Sequence, residues 1–245
     1  MLTEELIAYA AEQAGDLQLT DMVLGVGYTA VRFSPEHCGV CYTFREELGF
    51  SCGVLDRAGS YAGVQATDIL QWAASKLPAR ASVGLAAINA LLNRGYPEGE
   101  NIGDAVSCSS EDTVGMIGFF CPLAAKFRNL AKDFYIFEKR PAPGPHIHAA
   151  EEMDALLPRC DIVVLSATTL ANHTAERILS LCGKAREIIM VGASTPMAGP
   201  VLRRYGVTML AGTEICDGDL AMRIVAQGGG GMDLGRAGRK TLLRI

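Results

Sequence analysis

From about residue 114 to the end of the chain, short apolar, β-branched runs alternate with amphipathic stretches of helical period. The runs occupy residues 114–118, 134–138, 161–166, 187–192, 207–212 and 240–245; the helical stretches occupy 122–130, 149–157, 174–182, 197–205 and 219–227. A strand that is apolar throughout must be covered on both faces, and strands separated by helices pair in parallel through right-handed crossovers. The pattern therefore predicts a Rossmann-like, doubly wound, mostly parallel α/β sheet over residues 106–245.

Residues 1–105 follow a different rule. A helix over 3–14 precedes a long extended stretch at 22–33, a strand at 39–44 and a short one at 53–55. Helices over 67–77 and 81–93 come after. Strands first and helices later predict a smaller α+β domain. The polar, Gly- and Pro-containing residues 95–112 read as its linker to the second domain, and 245 residues suffice for two modest cores.

Composition narrows the function classes. Hydrophobic residues at 49% and charged residues at 20% are those of a globular chain and exclude general disorder. A net charge of -5 offers no field for phosphate backbones or anionic lipid, so neither nucleic acid nor membrane is expected as a partner. No apolar run approaches the ~18 residues of a membrane span. The N-terminal segment MLTEELIAYAAEQAG is acidic and amphipathic, without the positive start of a secretory signal. The expectation is a cytoplasmic protein whose eight cysteines (38, 41, 52, 108, 121, 160, 182 and 216) are mostly free thiols. A homo-oligomer is left open.

In a parallel α/β sheet, ligands bind beyond the carboxyl ends of the strands. The residues expected there are Gly118 in Gly118-Phe119-Phe120-Cys121-Pro122, then Glu138, then Thr168, Thr169 and Asn172 after Ser166. Gly192, Ser194 and Thr195 follow the fourth run; Gly212 and Asp217 follow the fifth. Each loop also reads as a helix cap, since Ser, Thr and Asp are preferred N-caps and Pro favours the first turn. Their convergence at one sheet edge is what favours a pocket.

Glu138 lies twenty residues after Gly118, where a Rossmann carboxylate holds a ribose diol. The loop lacks GxGxxG, which argues against a dinucleotide but leaves an adenosine-type ligand open. The alternative is a solvated acid paired with Lys139 or Arg140. Among the four glycines at 228–231, Gly229 and Gly230 could let backbone touch an anion or ligand, with Arg236, Arg239 and Lys240 nearby; a flexible loop is the other reading. Asn89 interrupts an apolar helix and either bonds a neighbouring element or faces a cleft. Arg45 and Glu46 could face it too, or be ordinary strand-end charges.

His37-Cys38-Gly39-Val40-Cys41 holds soft metal ligands at C-x-x-C spacing, but no second pair completes a four-ligand zinc site, and structural cysteines are the stronger reading. His146 and His148, in a Pro-rich stretch, read as solvent-facing. No catalytic triad signature, H-E-x-x-H or Walker A loop is present, so no nucleophile is named.

These motifs together resemble the putative heavy-metal chelation family of prokaryotic proteins. The resemblance rests on GVGYTAV (25–31), TFRE (43–46) and SVGLAAINALLN (82–93) in the first half. In the second it rests on DTVGMIGFF (112–120), DIVVLSATTLANHT (161–174), VGASTPM (191–197), AGTEICD (211–217) and the final stretch from the four glycines to the lysine. It implies an enolase-N-terminal-like domain followed by a Rossmann-like one, with a site in the interdomain cleft. Three readings follow: a small-ligand protein handling a transition-metal ion or chelate, an enzyme using a nucleoside-type cofactor such as S-adenosylmethionine, or a non-catalytic interaction protein.

Overall fold

The computed structural model describes residues 1–49, 53–139 and 144–245. Cys52, Arg140 and the start of the Pro-rich stretch, residues 141–143, lie outside the described residues.

The first half builds a three-stranded antiparallel sheet, β1 (Asp21–Leu24), β2 (Tyr28–Ser34) and β3 (His37–Tyr42), in that spatial order. The expected single extended stretch at 22–33 is two strands, because the chain turns at residues 25–27. Gly25 is needed at that turn: a Cβ there would stand 2.2 Å from the Val225 carbonyl oxygen. Residues 53–55 form no strand; Val54 is exposed and finds no pairing edge among the described residues.

Helix Pro78–Leu92 starts with proline in its first turn, and every residue from Ala81 to Leu92 is buried. A helix apolar all round must be wrapped on all sides. The small sheet wraps one of them. Gly39 of β3 allows the contact, since a Cβ there would lie 2.2 Å from Ala90 N and 2.3 Å from Ala86 O. The other face of the small sheet meets helix Gly218–Ala226, where Ala30, Cys38 and Val40 pack with Ala221, Met222 and Val225. Covered on both sides, β3 is buried continuously from Cys38 to Cys41.

The second half forms a seven-stranded sheet. Its strands are β4 (Thr113–Ile117), β5 (Asp133–Glu138), β6 (Ile147–Ala149), β7 (Ile162–Ser166), β8 (Glu187–Val191), β9 (Met209–Ile215) and β10 (Gly238–Arg244). The spatial order is β10-β9-β8-β7-β4-β5-β6, parallel throughout except for β10 against β9. From β6 to β9 this is the Rossmann order, with its topological switch between β4 and β7. Its continuous apolar runs serve two faces. Val114, Met116, Ile136, Ile162, Val164 and Ile189 pack under helix Cys121–Leu130, whereas Val163, Leu165, Met190 and Leu210 join the other side. That second cluster runs without a break into Leu2, Leu70, Val83 and Leu91 of the first half.

Residues 95–112, expected as a plain linker, instead lie along β10. Gly99 N–H donates to Lys240 O at 2.9 Å, and helix Ile102–Ala105 carries an Asn101 cap. An edge strand covered in this way is protected from pairing with another chain. No helix among the described residues is long and apolar enough to cross a membrane.

Candidate functional site

At the carboxyl ends of β4, β5, β6 and β7 the protein has a cavity of ≈ 620 Å³, within the range of small-molecule sites. Its floor is the switch point, with Ile117 and Gly118 leaving β4 beside Ser166, Thr168 and Thr169 leaving β7. Glu138 and Lys139 come from β5, and Ala150, Glu151 and Met153 from beyond β6. The first half supplies the roof: Tyr42, Phe44, Glu46, Glu47, Lys76 and Pro78.

The β7 turn is hydroxyl-rich and internally braced. Ser166 Oγ and Thr168 Oγ1 share a hydrogen bond of 2.8 Å, and Thr169 Oγ1 donates to Ser166 O at 2.7 Å. Asn172, which lines the cavity, accepts at Oδ1 from Thr174 Oγ1 at 2.6 Å. His173, in the left-handed region at φ 59°, holds this turn to the roof through Nε2 and Ser75 O at 2.8 Å.

Glu138 is half-buried, and burial pushes its carboxyl pKa up, opposed by the backbone N–H of Phe119 donating to it. The expected partner Lys139 turns away, pairing with Glu47 at 2.8 Å across the cavity mouth. The other expected partner, Arg140, lies outside the described residues. Arg177 on the opposite rim is held by Asp154 at 2.7 Å. Tyr42 and Phe44 meet edge to face, with ring centroids 5.4 Å apart.

Of the residues predicted from sequence, Gly118, Glu138, Thr168, Thr169 and Asn172 are brought together here. The others are elsewhere. Asn89 Nδ2 donates to Val40 O at 2.8 Å, holding helix Pro78–Leu92 on β3. Ser194 Oγ accepts from Tyr42 N–H at 2.9 Å, and Thr195 is fully buried. Gly192 turns the chain after β8 at φ +122°, and Gly212 lies within β9, where a Cβ would meet Thr195 O at 3.0 Å. Asp217 caps helix Gly218–Ala226 by accepting from Leu220 N–H at 2.9 Å. The glycine run links that helix to the next: Gly229 N–H donates to Ile224 O at 2.8 Å, and Gly230 N–H to Asp233 Oδ2 at 2.9 Å. Of the two strand-end charges, Glu46 lines the cavity and Arg45 does not.

Several residues were not singled out from sequence: Tyr42 and Phe44, the cavity's charged residues Glu47, Lys76, Glu151 and Arg177, and, outside the cavity, Asn93. Tyr42 and Phe44 stand two residues apart at the end of the third strand, and that spacing, which puts both on one face, was the available signal. Asn93 is one helical turn beyond Asn89 and joins the two halves. Its Nδ2 donates to Thr195 O (2.8 Å) and Thr213 O (3.1 Å), while Met197 N–H donates to its Oδ1 (2.9 Å).

The histidines and cysteines have mostly structural roles. His146 and His148, expected in solvent, flank Ile147 at the β6 edge: His146 is exposed, with Nδ1 3.1 Å from Phe134 O, whereas His148 is half-buried, with Nδ1 3.0 Å from Glu152. Cys38 and Cys41 are three apart on a strand, so their side chains leave opposite faces. Cys38 joins the cluster with helix Gly218–Ala226, and Cys41 the one with helix Pro78–Leu92. Burial pushes both thiols up to about 12, and Cys160 and Cys182 likewise. Thiols held protonated are poor metal ligands.

Two family models match: one described as "Putative heavy-metal chelation" (DUF364) over residues 101–244, and a second of the same description (DUF4213) over residues 7–92. The chain belongs to the DUF364 family. It is 26% identical over 232 residues to the Uncharacterized protein MJ0500 of Methanocaldococcus jannaschii, covering 90% of this chain and 88% of that one. Crystal structures of two DUF364 proteins of unknown function have the same fold. The one from Desulfitobacterium hafniense DCB-2 matches with a TM-score of 0.84 at 25% identity, covering 100% of this chain and 98% of that one. The one from Pyrococcus horikoshii matches with a TM-score of 0.86 at 22% identity, covering 100% of both. The family description raises the question of a metal, and the donor set answers for a bare ion: among the described residues no three His, Cys, Asp or Glu side chains converge. A naked cation does not fit these residues. The cavity offers hydroxyls, an amide, aromatic edges and carboxylates, which are groups for an organic ligand.

Proposed function

We propose that this DUF364 protein binds a small organic ligand of the metal-chelate class in the cleft at the carboxyl edge of its large sheet. The observation that carries this reading is the coincidence of the ≈ 620 Å³ cavity with the β4–β7 switch point. The chemistry of the walls supports a chelate over a bare ion. Four carboxylates (Glu46, Glu47, Glu138 and Glu151) border the cavity against three cations, Lys76, Lys139 and Arg177, and two of these cations are paired with acids, Lys139 with Glu47 and Arg177 with Asp154. That balance attracts a cationic complex, while Ser166, Thr168, Thr169 and Asn172 orient its organic part. The metal is then cargo, carried by its own ligand. A domain boundary near residue 105 is part of the same proposal and is supported by the two family matches, which part between residues 92 and 101.

The test is calorimetry on reduced, full-length protein with zinc, nickel and cobalt ions, alone and as their histidine complexes. Saturable binding of the complexes, weakened by Ser166→Ala and Thr168→Val, is expected. Stoichiometric binding of the bare ions that those substitutions leave untouched, or no binding of the complexes, overturns the proposal.

A further inference from the structure

We propose that the same cleft takes a nucleoside, with its vicinal ribose hydroxyls on the Glu138 carboxylate, its base towards the end of β6 and its 5′ substituent across Gly118 towards Ser166 and Thr168. The inference rests on reading the cavity as an organic-ligand site and goes beyond the chelate reading by naming a second class of molecule that the same walls fit.

The strand order sets the layout. Glu138 is the last residue of β5, next to β4 on one side and, through its pairing with Ala149, next to β6 on the other. Neighbouring strands lie ~4.8 Å apart, so the edge from β6 to β7 spans roughly 14 Å. That length accommodates a base, a sugar and a short 5′ group laid across the strand ends. The cavity follows this line, from Ala150, Glu151 and Met153 past Glu138 and Gly118 to Ser166, Thr168 and Thr169.

The acid at the centre suits a diol. An ionised carboxylate accepts about four hydrogen bonds. Glu138 receives one from the Phe119 N–H, and its neighbour Lys139 is engaged with Glu47. Two adjacent hydroxyls would use the remaining capacity of this half-buried group, part of whose hydration is already lost.

The β4 turn is poorly suited to a pyrophosphate. A pyrophosphate needs several glycines and free N–H groups at the helix start. Here the turn reads Gly118-Phe119-Phe120-Cys121-Pro122: the Phe119 N–H is committed to Glu138, and Pro122 has none. Around the cavity Glu46, Glu47, Glu138 and Glu151 outnumber Lys76, Lys139 and Arg177, a balance that disfavours an anion. The 5′ substituent is therefore neutral or cationic.

Equilibrium dialysis of the full-length protein with adenosine, guanosine, cytidine and uridine tests this, alongside 2′,3′-dideoxyadenosine and adenosine 5′-monophosphate. At least one nucleoside should bind one-to-one, and loss of both hydroxyls or Glu138→Gln should weaken it at least about tenfold, as expected for bonds to a charged acceptor. The monophosphate should bind more weakly than adenosine. Binding by none of the four nucleosides, indifference to the missing hydroxyls, or tighter binding of the monophosphate overturns the inference. If that happens while histidine complexes still bind and still respond to Thr168→Val, the nucleoside falls and the cleft reading stands. If those complexes fail too, both fall.

Discussion

Replacing Asn93 with alanine removes an amide that is 2% exposed and ties the long helix of the first half to the second half at three points. Its loss leaves Met197 N–H and Thr195 O without their side-chain partner, in a segment where Ser194, Thr195 and Met197 are all buried. Each buried backbone group left unpaired costs roughly 1–3 kcal/mol. Two such groups, with a small cavity added, bring the loss to about 3–5 kcal/mol. For a chain of this size that is a fall in Tm of about 10 °C. Urea denaturation followed by circular dichroism should show a lower midpoint with an unchanged slope. Asn93→Asp separates the terms. A carboxylate can still accept from Met197 N–H but cannot donate, and it sets a charge against two carbonyl oxygens. The aspartate variant should be at least as unstable as the alanine one at pH 7 and recover in part near pH 4, where a protonated carboxyl donates. A loss below about 1 kcal/mol for alanine, or an aspartate variant insensitive to pH, refutes the reasoning.

Glu138 has a folded pKa raised by burial, so the fold favours its protonated form, and its contribution to stability falls as pH rises from the unfolded value through the folded one. Glu138→Gln should therefore raise Tm at pH 8 and change it little at pH 4; thermal melts of the apo protein at both values check this. Gly39→Ala places a Cβ 2.2 Å from Ala90 N, against backbone that cannot yield, and should cost about 3 kcal/mol or more, read as loss of soluble protein or a much lower midpoint. Alkylation with iodoacetamide at pH 7.5, mapped by peptide mass, should, among the cysteines of the described residues, modify the exposed Cys121 and Cys216 first. Cys38, Cys41, Cys160 and Cys182 should react only after denaturant is added. Early labelling of Cys38 or Cys41 would contradict their packing on the two faces of β3.

Much of the fold is legible from residue patterns because they act locally. The apolar runs that became β4, β5, β7 and β8 needed cover on both faces, so helices between them were required, and the periods of the two element types are distinct. The carboxyl-edge positions of Gly118, Glu138, Thr168, Thr169 and Asn172 follow from that alternation, since a parallel sheet sends every strand-end turn to one side. β6 escaped notice because three residues, Ile147–Ala149, are too few to display a period. The antiparallel course of β10 is a matter of which neighbour it meets, and no local pattern carries that.

The sequence alone determined what each stretch is: strand or helix, apolar or capped, and which polar side chains would stand at the strand ends. Tertiary structure decided which of those ends open onto a cavity. The turns after β8 and β9 look as promising as the turn after β7, yet Ser194 meets Tyr42, Thr195 meets Asn93, and Asp217 caps a helix. Hydroxyls, amides and glycines are suited equally to capping a helix, closing an interface or holding a ligand. Only packing between residues a hundred positions apart selects among those uses, because it decides where water is removed and where space is left.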